Sequence, residues 1–198
     1  MWNPGPGDAL LVVDVQNDFM PGGALGIARG DEVLAPINRL IDAWRARSLP
    51  VFFSRDWHPA DHCSFLPRGG PWPTHCVQHT PGAAFRSGLH LPEHPQIVSK
   101  ATQRDQEAYS ALQGTDLRAR LCAAGARRIF ICGLATDYCV LATGEDALAT
   151  GLGVVVLTDA VRGVDAQPGD AGRALERLAA AGAVLTTSER VLDEPGPP

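Results

Sequence analysis

The sequence predicts an open α/β fold in three layers, with a mostly parallel sheet between helices. Two observations predict it. Six short apolar runs rich in Val, Ile and Leu lack the alternation of half-exposed strands, as parallel strands covered on both faces should. Longer amphipathic segments separate most of these runs, and that alternation implies right-handed crossovers. The 198 residues suit one domain over 1–198, and 45% hydrophobic with 20% charged residues is ordinary for a globular chain.

The expected strands are 9–13, 51–54, 96–99, 128–132, 154–157 and 183–186. Between the first two, Val33, Leu34, Ile37, Leu40, Ile41 and Trp44 make one apolar stripe, with Pro36 in its first turn. Helices are expected near 115–124, 138–150 and 168–181. Each is followed by a glycine (Gly125, Gly151, Gly182) suited to a left-handed C-terminal cap, and Pro168 suits the first turn of the last. The C-terminal residues, about 192–198 and ending EPGPP, read as a flexible tail.

The stretch from about 57 to 95 is the exception. It is rich in Pro, Gly and His and keeps no period, and a connection that long is usually functional or disordered. Trp57, Phe65, Trp72 and Phe85 argue against disorder. All six histidines lie between His58 and His94. Asp56, His58 and His62 in DWHPADH, with His75 in WPTHC, have the composition of a divalent-metal site, so 56–95 is read as a metal-binding loop region. Zinc, iron and manganese all suit such donors. A bound ion would also supply order that periodic packing does not. His79, His90 and His94 read as surface residues.

A net charge of -5 argues against nucleic acid or an anionic membrane as main partner. Five cysteines, at 63, 76, 122, 132 and 139, do not form a disulfide framework and point to a reducing, cytoplasmic setting. Cys122 and Cys132 look like core. Cys63 and Cys76 adjoin histidines, which leaves a mixed Cys/His structural zinc site as an alternative. No signal peptide and no membrane-spanning stretch is expected.

Asp14 ends the first strand, Asp56 follows the second, Lys100 ends the third and Cys139 lies just past the fourth. Ligands of open parallel sheets bind outside the carboxyl ends of the strands, so these four should converge on one edge. Cys139 lies in GLATDYCV, a strand-to-helix turn that Thr136 or Asp137 can cap. There the helix dipole favours a thiolate and the free N–H groups suit an oxyanion. The alternative is a small residue packing a helix start. Asp14 is either a turn former or a general base. Phe19 and Trp72 are either core aromatics or two faces that hold a flat ring.

With these motifs assembled, VVDVQNDF, the Asp-x-His-x-x-x-His run, WPTHCV followed by TPGA, a lysine at a strand end and GLATDYCV, the chain resembles the nicotinamidases among the isochorismatase-like cysteine hydrolases. The resemblance runs from about Leu10 to Val164, in the family's order. It implies an isochorismatase-like α/β/α sandwich around a six-stranded, Rossmann-like parallel sheet. It implies hydrolysis of nicotinamide to nicotinate and ammonia, with pyrazinamide as a further substrate, and a place in NAD salvage. Cys139 would be the nucleophile, Asp14 the base and Lys100 their partner. Asp56, His58, His62 and His75 would hold one divalent ion. Leu134–Ala135 matches a cis peptide, the N–H groups of Ala135 and Cys139 an oxyanion hole, and Phe19 and Trp72 the ring-holding aromatics. A glycine is common after the family's lysine, whereas this chain has Ala101. A homo-oligomer is compatible with this reading.

Three other readings compete. A cysteine amidohydrolase for carbamoyl or ureido substrates would keep Asp14, Lys100 and Cys139 but would not need the histidines. An isochorismatase lacks the cysteine. A non-catalytic binding protein has no need of Cys139 beside an acid.

Overall fold

The computed structural model describes residues 3–193. Its centre is one six-stranded sheet of β1 (Asp8–Val13), β2 (Val51–Asp56), β3 (Gln96–Lys100), β4 (Arg128–Leu134), β5 (Gly153–Arg162) and β6 (Val184–Thr186). The strand order is β3-β2-β1-β4-β5-β6 and every pairing is parallel. The chain winds outward from β1 to one edge, then returns to β4 and winds to the other. The direction of winding therefore reverses between β1 and β4.

Among the described residues five helices cover the sheet: α1 (Leu34–Ala46), α2 (Leu117–Ala123), α3 (Leu141–Ala149), α4 (Asp170–Ala180) and α5 (Ser188–Leu192). Successive residues of β1 point to opposite faces. Leu10 and Val12 join Ile37, Leu40, Ile41 and Trp44 of α1 and Val191 of α5 in one core layer. Ala9, Leu11 and Val13 join Leu117 and Leu121 of α2, Ala147 of α3 and Leu178 of α4 in the other. All six residues of β1 are buried, which is why its sequence shows no alternation.

Pro36 is the third residue of α1, where its missing N–H has no intrahelical acceptor to lose. Gly125, Gly151 and Gly182 have φ of 68°, 86° and 105°, the left-handed cap conformation expected of them.

Several expectations need correction. The helix expected from 168 begins at Asp170, because Gly169 takes φ 87° at its N-cap and leaves Pro168 outside. Leu192 closes α5, a helix not expected from the sequence, and residues 194–198 of the expected tail lie outside the described residues. Cys122 is exposed on α2 rather than core. The start of the 138–150 helix is a π-helical turn, Thr136–Val140, before α3 proper. Strands β2 to β5 also run further toward their carboxyl ends than expected, most of all β5, whose polar Thr158 and Asp159 hide its continuation.

The 57–95 connection carries one short 3₁₀ turn, Leu66–Arg68, and isolated bridges such as His58 to Val77 and Phe65 to Trp72. Protein contacts order it. Phe65 is buried among the rings of His58, His62 and His75, with centroids 5.3, 5.7 and 5.5 Å away. Buried Gln16 ties the start of the connection to Ala83: its Nε2 donates to the carbonyls of Asp56 and Ala83, and its Oε1 accepts the Asp56 N–H.

Candidate active site

β1 and β4 end side by side at the reversal point, where open α/β sheets leave a crevice. A Cβ at Gly133 would lie 2.0 Å from the Val13 carbonyl oxygen, so only glycine lets β4 pass this close beside Asp14. Asp14 leaves β1 with φ 48° and its side chain is wholly buried. Ser54 Oγ–H donates to its Oδ1 at 2.7 Å. Lys100 Nζ, at the end of β3, lies 3.0 Å from Asp14 Oδ2 and 3.3 Å from Cys139 Sγ, and also pairs with Asp56 Oδ1. The four residues expected to converge do so.

Their charges are set by burial and by one another. Burial pulls the Lys100 ammonium down, but Asp14, Asp56 and Cys139 outweigh it and hold the group charged well above the ordinary lysine range. Burial raises the Asp14 carboxyl, Lys100 opposes that, and the net shift is upward. For Asp56 burial also pushes upward, yet Lys100 and His58 win and the carboxyl is lowered. Burial raises the Cys139 thiol well above its usual value; Lys100 pulls it back and Asp14 adds to the rise. The rise runs against the dipole stabilisation of a thiolate expected from the sequence. Nor do Thr136 or Asp137 cap the turn. Ala135 is its N-cap without a side-chain bond, and the Asp137 carboxylate accepts the N–H groups of Val164 and Asp165 instead. The Leu134–Ala135 peptide is cis.

A cavity at this edge is lined by Asp56, His58, His75, Ala135 and Cys139 together with Phe19 and Trp72, the two aromatics singled out from the sequence. Trp72 Nε1–H donates to the Tyr109 hydroxyl at 2.9 Å, and its ring meets Tyr138 edge-on at 4.9 Å. Tyr109, Tyr138 and Glu107 also line the cavity.

Asp56, His58 and His75 each bring one ligand atom to within 4.8 Å of the others. Their donors fit a divalent ion. His58 Nδ1 lies 3.1 Å from the His75 carbonyl and His75 Nδ1 lies 2.8 Å from the Pro73 carbonyl, so each ring gives its proton there and keeps Nε2 as a lone pair. Asp56 Oδ1 is taken by Lys100, leaving Oδ2, which lies 4.0 Å from His75 Nε2. Burial lowers the His58 pKa to about 4 despite Asp56, so the ring is neutral near pH 7. His62 stands next to His58, with ring centroids 4.4 Å apart, but its nitrogens face Ser64 Oγ at 2.7 Å and the Gln106 carbonyl at 3.1 Å. Neither Cys63 nor Cys76 belongs to a ligand group found among the described residues.

Comparison with known proteins identifies the family. The isochorismatase domain model matches residues 8–190. The chain belongs to the isochorismatase-domain family. Within it, a nicotinamidase of Escherichia coli is 40% identical, with 92% of this chain and 95% of that protein covered. The crystal structure of the pyrazinamidase of Pyrococcus horikoshii in complex with zinc superposes with a TM-score of 0.88 at 49% identity, covering 92% of this chain and 99% of that one. PnC1 of L. infantum in complex with nicotinate superposes with a TM-score of 0.87 at 35% identity, covering 96% of each chain.

In this member of the isochorismatase-domain family several site residues carried no readable sequence signal. Ser54, Phe65, Glu107 and Tyr109 are ordinary loop, strand or core types, and only the fold brings Ser54 to Asp14, Phe65 to the three histidines, and Glu107 and Tyr109 to the cavity. The glycine of GLATDYC is the one that could have been noticed, as a marker of close backbone approach.

Proposed function

We propose that this chain is a nicotinamidase, a cysteine amidohydrolase that converts nicotinamide to nicotinate and ammonia and also accepts pyrazinamide. The observation that carries the reading is the meeting of Lys100 and Asp14 with Cys139, which lines a cavity that also holds the Asp56, His58 and His75 donors. The named relatives support the substrate class.

On this reading Asp14 takes the thiol proton as Cys139 Sγ attacks the carboxamide carbon. A carboxyl raised by burial is a stronger base, suited to a thiol that is itself raised. Lys100 keeps the base and the sulfur together and offsets the negative charge that passes between them. The amide N–H groups of Ala135 and Cys139 receive the oxyanion, worth roughly a hundredfold or more in rate. Protonated Asp14 then gives its proton to the departing nitrogen, and ammonia leaves a thioester on Cys139. Asp14 next takes a proton from water, the resulting hydroxide adds to the thioester carbon, and the C–S bond breaks to release the acid and restore the thiol. Phe19 and Trp72 hold the ring. A divalent ion held by Asp56, His58 and His75, with His62 beside them, would orient and polarise that ring through its nitrogen. Zinc is the first choice, in line with the zinc complex of the Pyrococcus relative. The chain is read as one domain working in the cytoplasm. Its five free cysteines suit that compartment, and no described helix is long and apolar enough to cross a membrane.

Ammonia release from nicotinamide and pyrazinamide, with benzamide as a ring-nitrogen-free control, tests the proposal. Turnover of both heteroaromatic amides with little of benzamide is expected. No ammonia from nicotinamide with metal-loaded protein would overturn it.

A further inference from the structure

Glu107 lies seven residues past Lys100, on a segment that lines the cavity through Glu107 and Tyr109. That segment also gives the Ala108 carbonyl to Lys100, the Gln106 carbonyl to His62 and the Tyr109 hydroxyl to Trp72. Glu107 is half-buried and lines the cavity with Asp56, His58, His75 and Cys139. One of its oxygens and one ring nitrogen each of His58 and His62 lie within 4.8 Å of one another. Its Oε1 also accepts the Ala108 N–H at 2.9 Å, which fixes the carboxylate against its own backbone.

Two ligand triangles therefore share His58: Asp56–His58–His75 and His58–His62–Glu107. The Nδ1 of His58 is spent on the His75 carbonyl, so the ring has a single lone pair to give. One lone pair binds one ion. We propose that Glu107 is a further residue of the divalent-cation site, which draws on both triangles to hold a single ion. The inference rests on the cation reading above and adds a carboxylate that the histidine pattern did not reveal.

Charge supports it. Lys100 already pairs with both Asp14 and Asp56, so the three buried groups together carry one net negative charge when both carboxyls are ionised. Glu107 adds a second, which matches a divalent ion. His62 enters the set by moving its ring proton from Nε2 to Nδ1, where Ser64 Oγ accepts it in place of the bond from the Ser64 N–H at 3.3 Å, and by exchanging the Gln106 carbonyl for the ion.

The test is cobalt(II) binding to the metal-stripped full chain. Affinity is read by competition with a chromophoric chelator, coordination by the visible absorption of bound cobalt, and fold by circular dichroism. The expected result is one cobalt per wild-type chain, affinity lower by roughly tenfold to a hundredfold in Glu107→Gln with a changed cobalt spectrum, and partial recovery in Glu107→Asp. Glu107→Gln with wild-type affinity and spectrum, beside a His58→Ala variant that loses the ion, would overturn the role of Glu107 and leave the cation site standing. Two cobalt ions per wild-type chain would overturn the single shared ion. No stoichiometric cobalt in the wild type would overturn the cation reading and this inference with it.

Discussion

Burial raises the Cys139 thiol, so the proposed reaction rests on the thiol and its base together rather than on the cysteine alone. Cys139→Ala is expected to abolish turnover while circular dichroism and metal content stay at wild-type values. More than a few per cent of residual activity in that variant would sink the nucleophile assignment. Asp14→Asn removes the proton carrier from both halves of the cycle, and the loss in kcat should reach or exceed the upper end of roughly 10²–10⁴-fold. In the wild type the acid limb of kcat/KM should lie above the ordinary carboxylate range, because Asp14 must be ionised to act and its pKa is raised. His58 gives a stability prediction for the metal-free protein. Its folded pKa is depressed to about 4 from 6.5, so its contribution is fully present above pH 6.5 and is lost as pH falls toward 4, about 3 kcal/mol in all. Chemical denaturation across that range should show this decline in the wild type and a smaller one in His58→Gln.

At the scale of elements, the turns after the strands set the site. The Thr136–Val140 π turn places Cys139, and the Asp137 carboxylate pins that turn to the loop after β5 through two backbone N–H groups. The turn after β3 aims the segment that carries Glu107 and Tyr109. There Ala101 is buried at φ 50°, the left-handed region that glycine occupies at little cost. This explains why glycine suits the position, and why alanine, with the smallest side chain, is tolerated. Ala101→Val adds a β-branched side chain at positive φ and is expected to cost about 2 kcal/mol or more, lowering Tm by at least roughly 4 °C. Ala101→Gly should stay within about 0.5 kcal/mol of the wild type, since relief of strain and gain in unfolded-state entropy nearly offset. Equal Tm values for Ala101→Val and the wild type would contradict this account.

For the whole molecule, two core layers on either face of the sheet hold the fold, and both are built mainly from strands and helices away from the histidines. Chelation should therefore abolish binding of nicotinamide without unfolding the chain. Circular dichroism before and after metal removal, paired with nicotinamide titration, checks this. Global unfolding on chelation would instead make the ion a structural staple, and undiminished turnover by metal-free protein would refute the proposed site.

The sequence by itself determined the layered α/β class, the strands to within a few residues save the long carboxyl end of β5, and the convergence of Asp14, Asp56, Lys100 and Cys139 on one edge. Buried parallel strands must be continuously apolar, so a charged residue at the end of such a run stands out, and parallel winding brings those ends together. Only the tertiary structure decided what those groups experience. The rise of the Cys139 thiol depends on burial and on carboxylates from β1 and β2, which no local pattern records. The separation of His62 from the Asp56–His58–His75 set, and the approach of Glu107 to His58, follow from how the segment after β3 lines the cavity. The order of the 57–95 loop likewise comes from Phe65 and Gln16 meeting partners distant in sequence. Those contacts have no period along the chain, and only the packed structure brings the partners together.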